Sequence, residues 1–211
     1  VHGSAAGEAS SGMEVEVVTE ETPFYGASGG QVGDQGVITG PAGRLSVIDT
    51  LKLPGDIIVH MAKVEEGTIR VGDQVELNVD ERLRQDTALH HTATHILHAV
   101  LRTVLGDHVK QAGSLVAPDR LRFDFTHFAA LTPGEMMRIE RLVNEEILRN
   151  HDLQVRVMNL DEALKTGAMA LFEEKYGDTV RMVEIPGFSR ELCGGTHTHR
   201  TGDIGLFVVV Q

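Results

Sequence analysis

Two short motifs in this 211-residue chain carry the side chains of a metal centre: His91-Thr92-Ala93-Thr94-His95 and Cys193-Gly194-Gly195-Thr196-His197. In each, the two residues able to bind a metal stand four apart. On a helix that spacing puts both side chains on one face, one turn from each other. Imidazoles and a thiolate are donors that zinc prefers. About a hundred residues separate the motifs, so only a folded domain can join them. With 11 histidines in the chain, a His pair at this spacing arises readily by chance, whereas the single Cys paired with a His is the more telling half. Two glycines beside Cys193 imply backbone that turns tightly or approaches a ligand closely. Thr92 stands where a metalloprotease of the HExxH type carries its general-base Glu, which argues against peptide hydrolysis of that style.

The elements that must position these residues follow from periodicity. Residues 1–12 are small and polar and read as a linker. From 13 to 80 short β-branched segments (13–18, 36–39, 44–53, 57–64 and 74–79) alternate with Gly, Pro and Asp, as in a small barrel-like subdomain. A helix is expected from Asp80, its N-cap, to Leu105, with Leu97, Val100, Leu101 and Val104 forming an apolar stripe and HTATH inside it. A hairpin over 114–116 and 120–127 follows. A second helix opens at Thr132-Pro133-Gly134-Glu135, which reads as a capping box with Pro at its first position. A strand at 153–160, a third helix over 161–176, and strands at 179–185 and 205–210 complete an α+β domain from 81 to 211, with helices packed on a mostly antiparallel sheet. Apart from the motif residues, His90, His98 and His108 read as solvated surface, His60 as part of a strand, His127 as a hairpin end and His199 as a spare ligand.

The chain has a net charge of −12, of which residues 1–80, with 13 acids and 4 bases, carry −9. Neither half has the broad basic face of a protein that binds nucleic acid tightly by itself, so an RNA substrate must be held locally or delivered by another domain. No apolar stretch reaches the length of a membrane span. One Cys excludes an internal disulfide and fits a reducing, cytoplasmic compartment. A start at Val1 instead of Met reads as a piece of a longer chain. Ser28-Gly29-Gly30-Gln31-Val32-Gly33 is followed by a strand and has no Lys-Ser/Thr ending, so it is neither a P-loop nor a dinucleotide fingerprint. It reads either as a glycine-rich connection between strands or as a loop whose amides approach an anionic or amino-acid ligand.

Taken in order, TPFYGASGGQVGDQG (22–36), HTATHILHAVLRTVLGDHVKQAGS (91–114), RFDFTH (122–127), GAMALFEEKYGD (167–178) and ELCGGTH (191–197) resemble the editing domain of alanyl-tRNA synthetases. The freestanding AlaX-type deacylases and the threonyl-tRNA synthetase editing region share the paired HxxxH and CxxxH motifs. The resemblance spans 22 to 210, and its one departure is Glu173, where Gly is commoner. It implies a zinc site made by His91, His95, Cys193 and His197, with Gln111 sensing the amino-acid side chain. Thr92 and Thr94 are implied substrate contacts, although two residues apart on a helix they point in opposite directions. The implied reaction is hydrolysis of misacylated tRNA(Ala) carrying serine or glycine, within a synthetase chain, with no membrane or DNA partner. A freestanding AlaX-type deacylase and a non-catalytic RNA-binding module with structural zinc remain alternatives at this point.

Overall fold

The computed structural model describes residues 5–170 and 176–210. It is an α+β fold in two compact units. The chain up to Ser28 groups with Val32–Arg84, and Gly29–Gln31 groups with the chain from Gln85 onward.

The first unit is an antiparallel sheet of six strands: β1 (Glu8–Ser10), β2 (Glu14–Val17), β3 (Gly36–Thr39), β4 (Gly43–Leu53), β5 (Ile57–Arg70) and β6 (Glu76–Val79). The order is β1-β5-β4-β3-β6, with β2 also on β5. The β4–β5 hairpin dominates it, turning at Gly55 and Asp56, both at positive φ. Two register shifts in β4 bend the strand. Phe24, Ile38, Leu45, Val47, Ala62 and Val64 fill its core. Among the described residues no ladder closes the sheet into a ring. Residues 8–10, expected to be linker, instead pair with Thr68–Arg70, because β5 runs six residues beyond the expected end at 64 and offers them an edge. Asp34 ties the glycine-rich segment down: it is 6% exposed, accepts from Tyr25 N at 2.6 Å and is ion-paired with Arg84. His60 lies fully buried in β5, between Thr22 Oγ1 at 2.8 Å and the Val17 carbonyl at 2.9 Å.

Helix α1 (Glu81–Leu105) opens as expected, with Asp80 Oδ1 accepting from Leu83 N at 3.0 Å. From Gln85 it belongs to the second unit. There follow the antiparallel hairpin of β7 (Gln111–Val116) and β8 (Leu121–Phe125), helix α2 (Pro133–Leu148), β9 (Gln154–Asn159), helix α3 (Leu160–Lys165), and strands β10 (Met169–Ala170), β11 (Thr179–Ile185) and β12 (Ser189–Leu192). The sheet order is β10-β12-β11-β9, antiparallel except for β10 on β12. α2 carries the complete capping box read from Thr132 and Glu135. Ile96, Val100 and Leu101 of α1 pack with Ile139, Val143 and Ile147 of α2 and Ile185 of β11. This packing sets the helix that bears HTATH against the rest of the unit.

Three expectations are corrected here. The third helix, expected over 161–176, ends at Lys165, because Thr166 caps it and Gly167 adopts φ +82°. Residues 171–175 of that segment, with Glu173, lie outside the described residues. Among the described residues, the strand expected at 205–210 pairs with no strand. The Asn144 side chain takes the place of a neighbour, donating to Phe207 O at 2.8 Å and accepting from Phe207 N at 2.9 Å, while Glu140 accepts from Val209 N. His98, expected on the surface, is 3% exposed, because its position three residues beyond His95 keeps it on the inward face of α1. β12 was not expected at all; the Pro186-Gly187 turn that precedes it, with Gly187 at φ +74°, is its local signal.

Ile147 is 1% exposed in this core, so Ile147→Ala should lower unfolding free energy by about 2–5 kcal/mol. Urea titration checks this; a midpoint unchanged from the parent would contradict the packing described.

Candidate metal centre

α1 turns His91 and His95 inward one turn apart, and the segment after β12 brings Cys193 and His197 to them. One nitrogen or sulfur atom from each lies within 4.8 Å of all the others. Cys193 Sγ is 3.4 Å from His91 Nε2 and 3.3 Å from His197 Nε2. A tetrahedral zinc with bonds of about 2.0–2.3 Å separates neighbouring donors by about 3.3–3.6 Å. The sulfur and its two imidazole neighbours thus already stand close to that spacing, and the donor set suits the metal.

Each imidazole has a second partner at its other nitrogen. His91 Nδ1 is 2.7 Å from Gln31 Oε1. His95 Nδ1 is 3.2 Å from the Glu191 carboxylate, which is fully buried. His197 Nδ1 is 3.1 Å from Thr92 Oγ1. An acceptor at Nδ1 of His91 and His95 leaves Nε2 of those rings for a metal, while Thr92 orients the ring of His197 without setting its tautomer. Glu191 also accepts from Ser189 Oγ at 2.9 Å and faces His98 Nδ1 at 3.5 Å. Neither Gln31 nor Glu191 was singled out from sequence. The only local cue for Gln31 was its place after two glycines, and for Glu191 its place two residues before Cys193.

The backbone of the CGGTH segment is shaped by Arg181 of β11. Its Nη1 donates to the carbonyls of Cys193 and Gly195, both at 2.8 Å, and its own carbonyl accepts from Cys193 N. The two glycines differ. A Cβ on Gly194 would meet nothing, whereas one on Gly195 would lie 2.1 Å from His91 Cε1 and 2.7 Å from Gln31 Oε1. Gly195 is therefore the position at which backbone must pass close to a ligand.

The remaining candidates are placed less centrally. Thr92 is fully buried and its hydroxyl faces His197 and Thr198 N. Thr94 turns its hydroxyl back to the His90 carbonyl at 2.8 Å. Thr94 thus spends its one donor on the helix backbone and keeps its acceptor lone pairs. Gln111 begins β7 opposite Phe125, half-buried, and its side chain has no hydrogen-bond partner among the described residues. It makes none of the contacts that build the cluster. His199 is exposed and outside the cluster.

Burial and mutual charge shift the groups of the cluster in opposite directions. Burial opposes ionisation of Cys193, but His91, then His197 and His95, outweigh it and hold the thiol well below its usual range. Burial also opposes charge on His95, yet Glu191 and Cys193 push its pKa up to about 9. Burial and the neighbouring His91 drive His197 down to about 3. Burial raises Glu191, but His95 and His98 prevail and keep it a carboxylate. At neutral pH His197 is therefore neutral and His95 is charged beside Glu191, while the thiol of Cys193 is biased toward its thiolate.

Residues 2–83 match the family described as class II (A) tRNA synthetases, and residues 180–211 match the second additional domain of threonyl and alanyl tRNA synthetases. The chain is 54% identical over 209 residues to the alanine–tRNA ligase of Desulfosudis oleivorans, which covers 99% of this chain and 24% of that protein. It is 56% identical over 210 residues to the alanine–tRNA ligases of Burkholderia mallei and Burkholderia orbicola, covering 100% of this chain and 24% of each. The chain thus spans about a quarter of the length of these relatives. With more than half of its residues identical along its entire length, this chain corresponds to one region of the alanine–tRNA ligases, and its last 32 residues match the additional domain that they share with the threonyl enzymes.

Proposed function

We propose that this region hydrolyses the ester bond of misacylated tRNA(Ala), Ser-tRNA(Ala) foremost, using zinc held by His91, His95, Cys193 and His197. The observation that carries the proposal is the convergence of these four donors, with each imidazole braced at Nδ1. When bound, zinc supplies a Lewis acid and a water whose pKa falls to about 7. The protein's residues do the rest. Gln31, Glu191 and Thr92 hold the three rings, Arg181 and Gly195 set the path of the loop, and His91 and His95 are buried while Cys193 and His197 keep partial exposure. The proposed partners are a tRNA(Ala) acceptor end and the rest of a synthetase chain, in the cytoplasm. Among the described residues, no helix is long and apolar enough to cross a membrane.

Selectivity has a physical basis. Serine is alanine with an added hydroxyl, which an apolar synthetic pocket rejects by only about 10². A second site can reverse the preference if a polar group requires that hydroxyl. Gln111 fills this role in the proposal on the strength of the family resemblance and of its unpartnered side chain. With alanine bound, its amide would stay unpaired, at a cost of about 1–3 kcal/mol. A second reading, a structural zinc site in an RNA-binding module, is favoured by one observation, that all four donors are close enough to close a shell without water.

Cys193→Ala should abolish serine release from Ser-tRNA(Ala) while leaving the far-ultraviolet circular dichroism of the fold in place. Full activity in chelated protein would overturn the catalytic reading, and unfolding on chelation with no hydrolysis by the zinc-loaded chain would support the structural one. Gln111→Ala should narrow the rate ratio of Ser-tRNA(Ala) to Ala-tRNA(Ala) by about tenfold or more. An unchanged ratio would remove Gln111 from the scheme.

The pH dependence follows from His95. Glu191 and Cys193 raise its pKa to about 9 against the effect of burial, so below that pH a proton occupies the nitrogen that zinc would take and must leave when zinc binds. Zinc affinity should therefore rise with pH by about tenfold per unit between neutrality and 9, then level off. Proton release on zinc addition to weakly buffered protein measures this directly, and a pH-independent affinity would contradict it.

A further inference from the structure

The glycine-rich segment reaches the four-donor cluster through the side chain of Gln31. We propose that Gln31 is a positioning residue: its amide sets the tautomer and direction of His91 and locks the loop of Cys193 and His197 to helix α1, so that a divalent cation meets ligands already in place. This inference rests on the reading of the four-residue cluster as a metal site.

Gln31 is 2% exposed and uses both ends of its amide. Oε1 accepts from Thr196 N at 2.9 Å and faces His91 Nδ1 at 2.7 Å, while Nε2 donates to Thr196 Oγ1 at 2.9 Å. A backbone N–H can only donate, so the amide atom that meets Thr196 N must be the oxygen. An amide oxygen can only accept, so His91 Nδ1 must carry the hydrogen. A neutral His91 therefore has its lone pair at Nε2, the nitrogen that faces Cys193 Sγ. Thr92, beside His197, cannot impose this, because a hydroxyl both donates and accepts.

The backbone delivers the amide with little freedom. Gly30 O accepts from Val116 N at 2.8 Å, and Gln31 bridges to Val116. Gly30 has φ +87°, and a Cβ there would lie 2.1 Å from Ser114 Oγ and 2.7 Å from Ser114 O, so no other residue fits. On the far side, Gly195 is the residue whose missing Cβ makes room for both Gln31 Oε1 and the His91 ring. Gly30 and Gly195 thus flank one three-part contact of Gln31, His91 and Thr196.

The test compares the full chain with Gln31→Met, which keeps length and removes all three hydrogen bonds, and Gln31→Glu, which keeps an acceptor toward both N–H groups. Zinc affinity is read by competition with a chromogenic chelator, cobalt(II) loading by its thiolate and ligand-field bands, and the His91 tautomer by long-range nitrogen-15 correlation spectra of the metal-free protein. Expected is a loss of about 10–100-fold in zinc affinity for Gln31→Met, with the His91 tautomer no longer fixed, and recovery of most of that loss in Gln31→Glu. Equal affinity in Gln31→Met and the parent overturns the assignment, as does equal weakness of the Met and Glu variants, which would mean packing alone. Failure of the parent chain to bind zinc or cobalt overturns the metal reading itself, an outcome distinct from either of these.

Discussion

An imidazole offers a lone pair at only one nitrogen when neutral, and which one is decided by what the other nitrogen touches. That constraint organises the second unit of this protein. Three histidines must present the same nitrogen toward one point, so three further groups must stand behind them. Those groups come from widely separated places: Gln31 from the glycine-rich segment, Thr92 from the same helix as two of the histidines, and Glu191 from β12. The elements around them serve these distances. α2 and β11 press on the apolar side of α1, and Arg181 bends the CGGTH segment by gripping two of its carbonyls.

The cost of burying Glu191 explains a second layer of the design. A carboxylate with no solvent exposure demands compensation, and here Ser189 hydrogen-bonds one oxygen while the rings of His95 and His98 stand at ion-pair distances of 3.2 and 3.5 Å. His98 thereby has a reason to be inside. Its ring also lies against Phe123 of the β7–β8 hairpin, with centroids 5.3 Å apart. One buried acid links a potential ligand, the sheet and the hairpin, so the polar network is continuous with the core and not a patch on it.

Local order was legible in the sequence, and long-range order was not. The stripe of Leu97, Val100 and Leu101 marked α1, and Thr132 with Glu135 marked the start of α2, because both signals are complete within a few residues. The third helix was overextended because Gly167, a tolerable residue inside a helical pattern, adopts a left-handed conformation that stops it. Residues 205–210 have strand composition, yet the partner they find is the side chain of Asn144, which no alternation of apolar residues can announce. At the site, the spacing of the His and Cys pairs drew attention to them, and the structure brings the four together. Gln31 and Glu191 escaped notice, since a Gln after glycines and a Glu in a strand are ordinary until the fold shows what they face. His98 was misplaced for the same reason: its acid lies 93 positions away.

The Gln31–Thr196 contact spans 165 positions of sequence, and His91–Cys193 spans 102. Closing loops of such length is a late event in folding, because chain entropy is lost before the contact can repay it. The donors cannot nucleate the fold in the manner of a zinc finger, where a few neighbouring residues gather around the ion first. A chain cut short before Cys193 lacks two of the four donors however well α1 forms, so the cluster is assembled only by the docking of the last strands and the segment after them onto that helix.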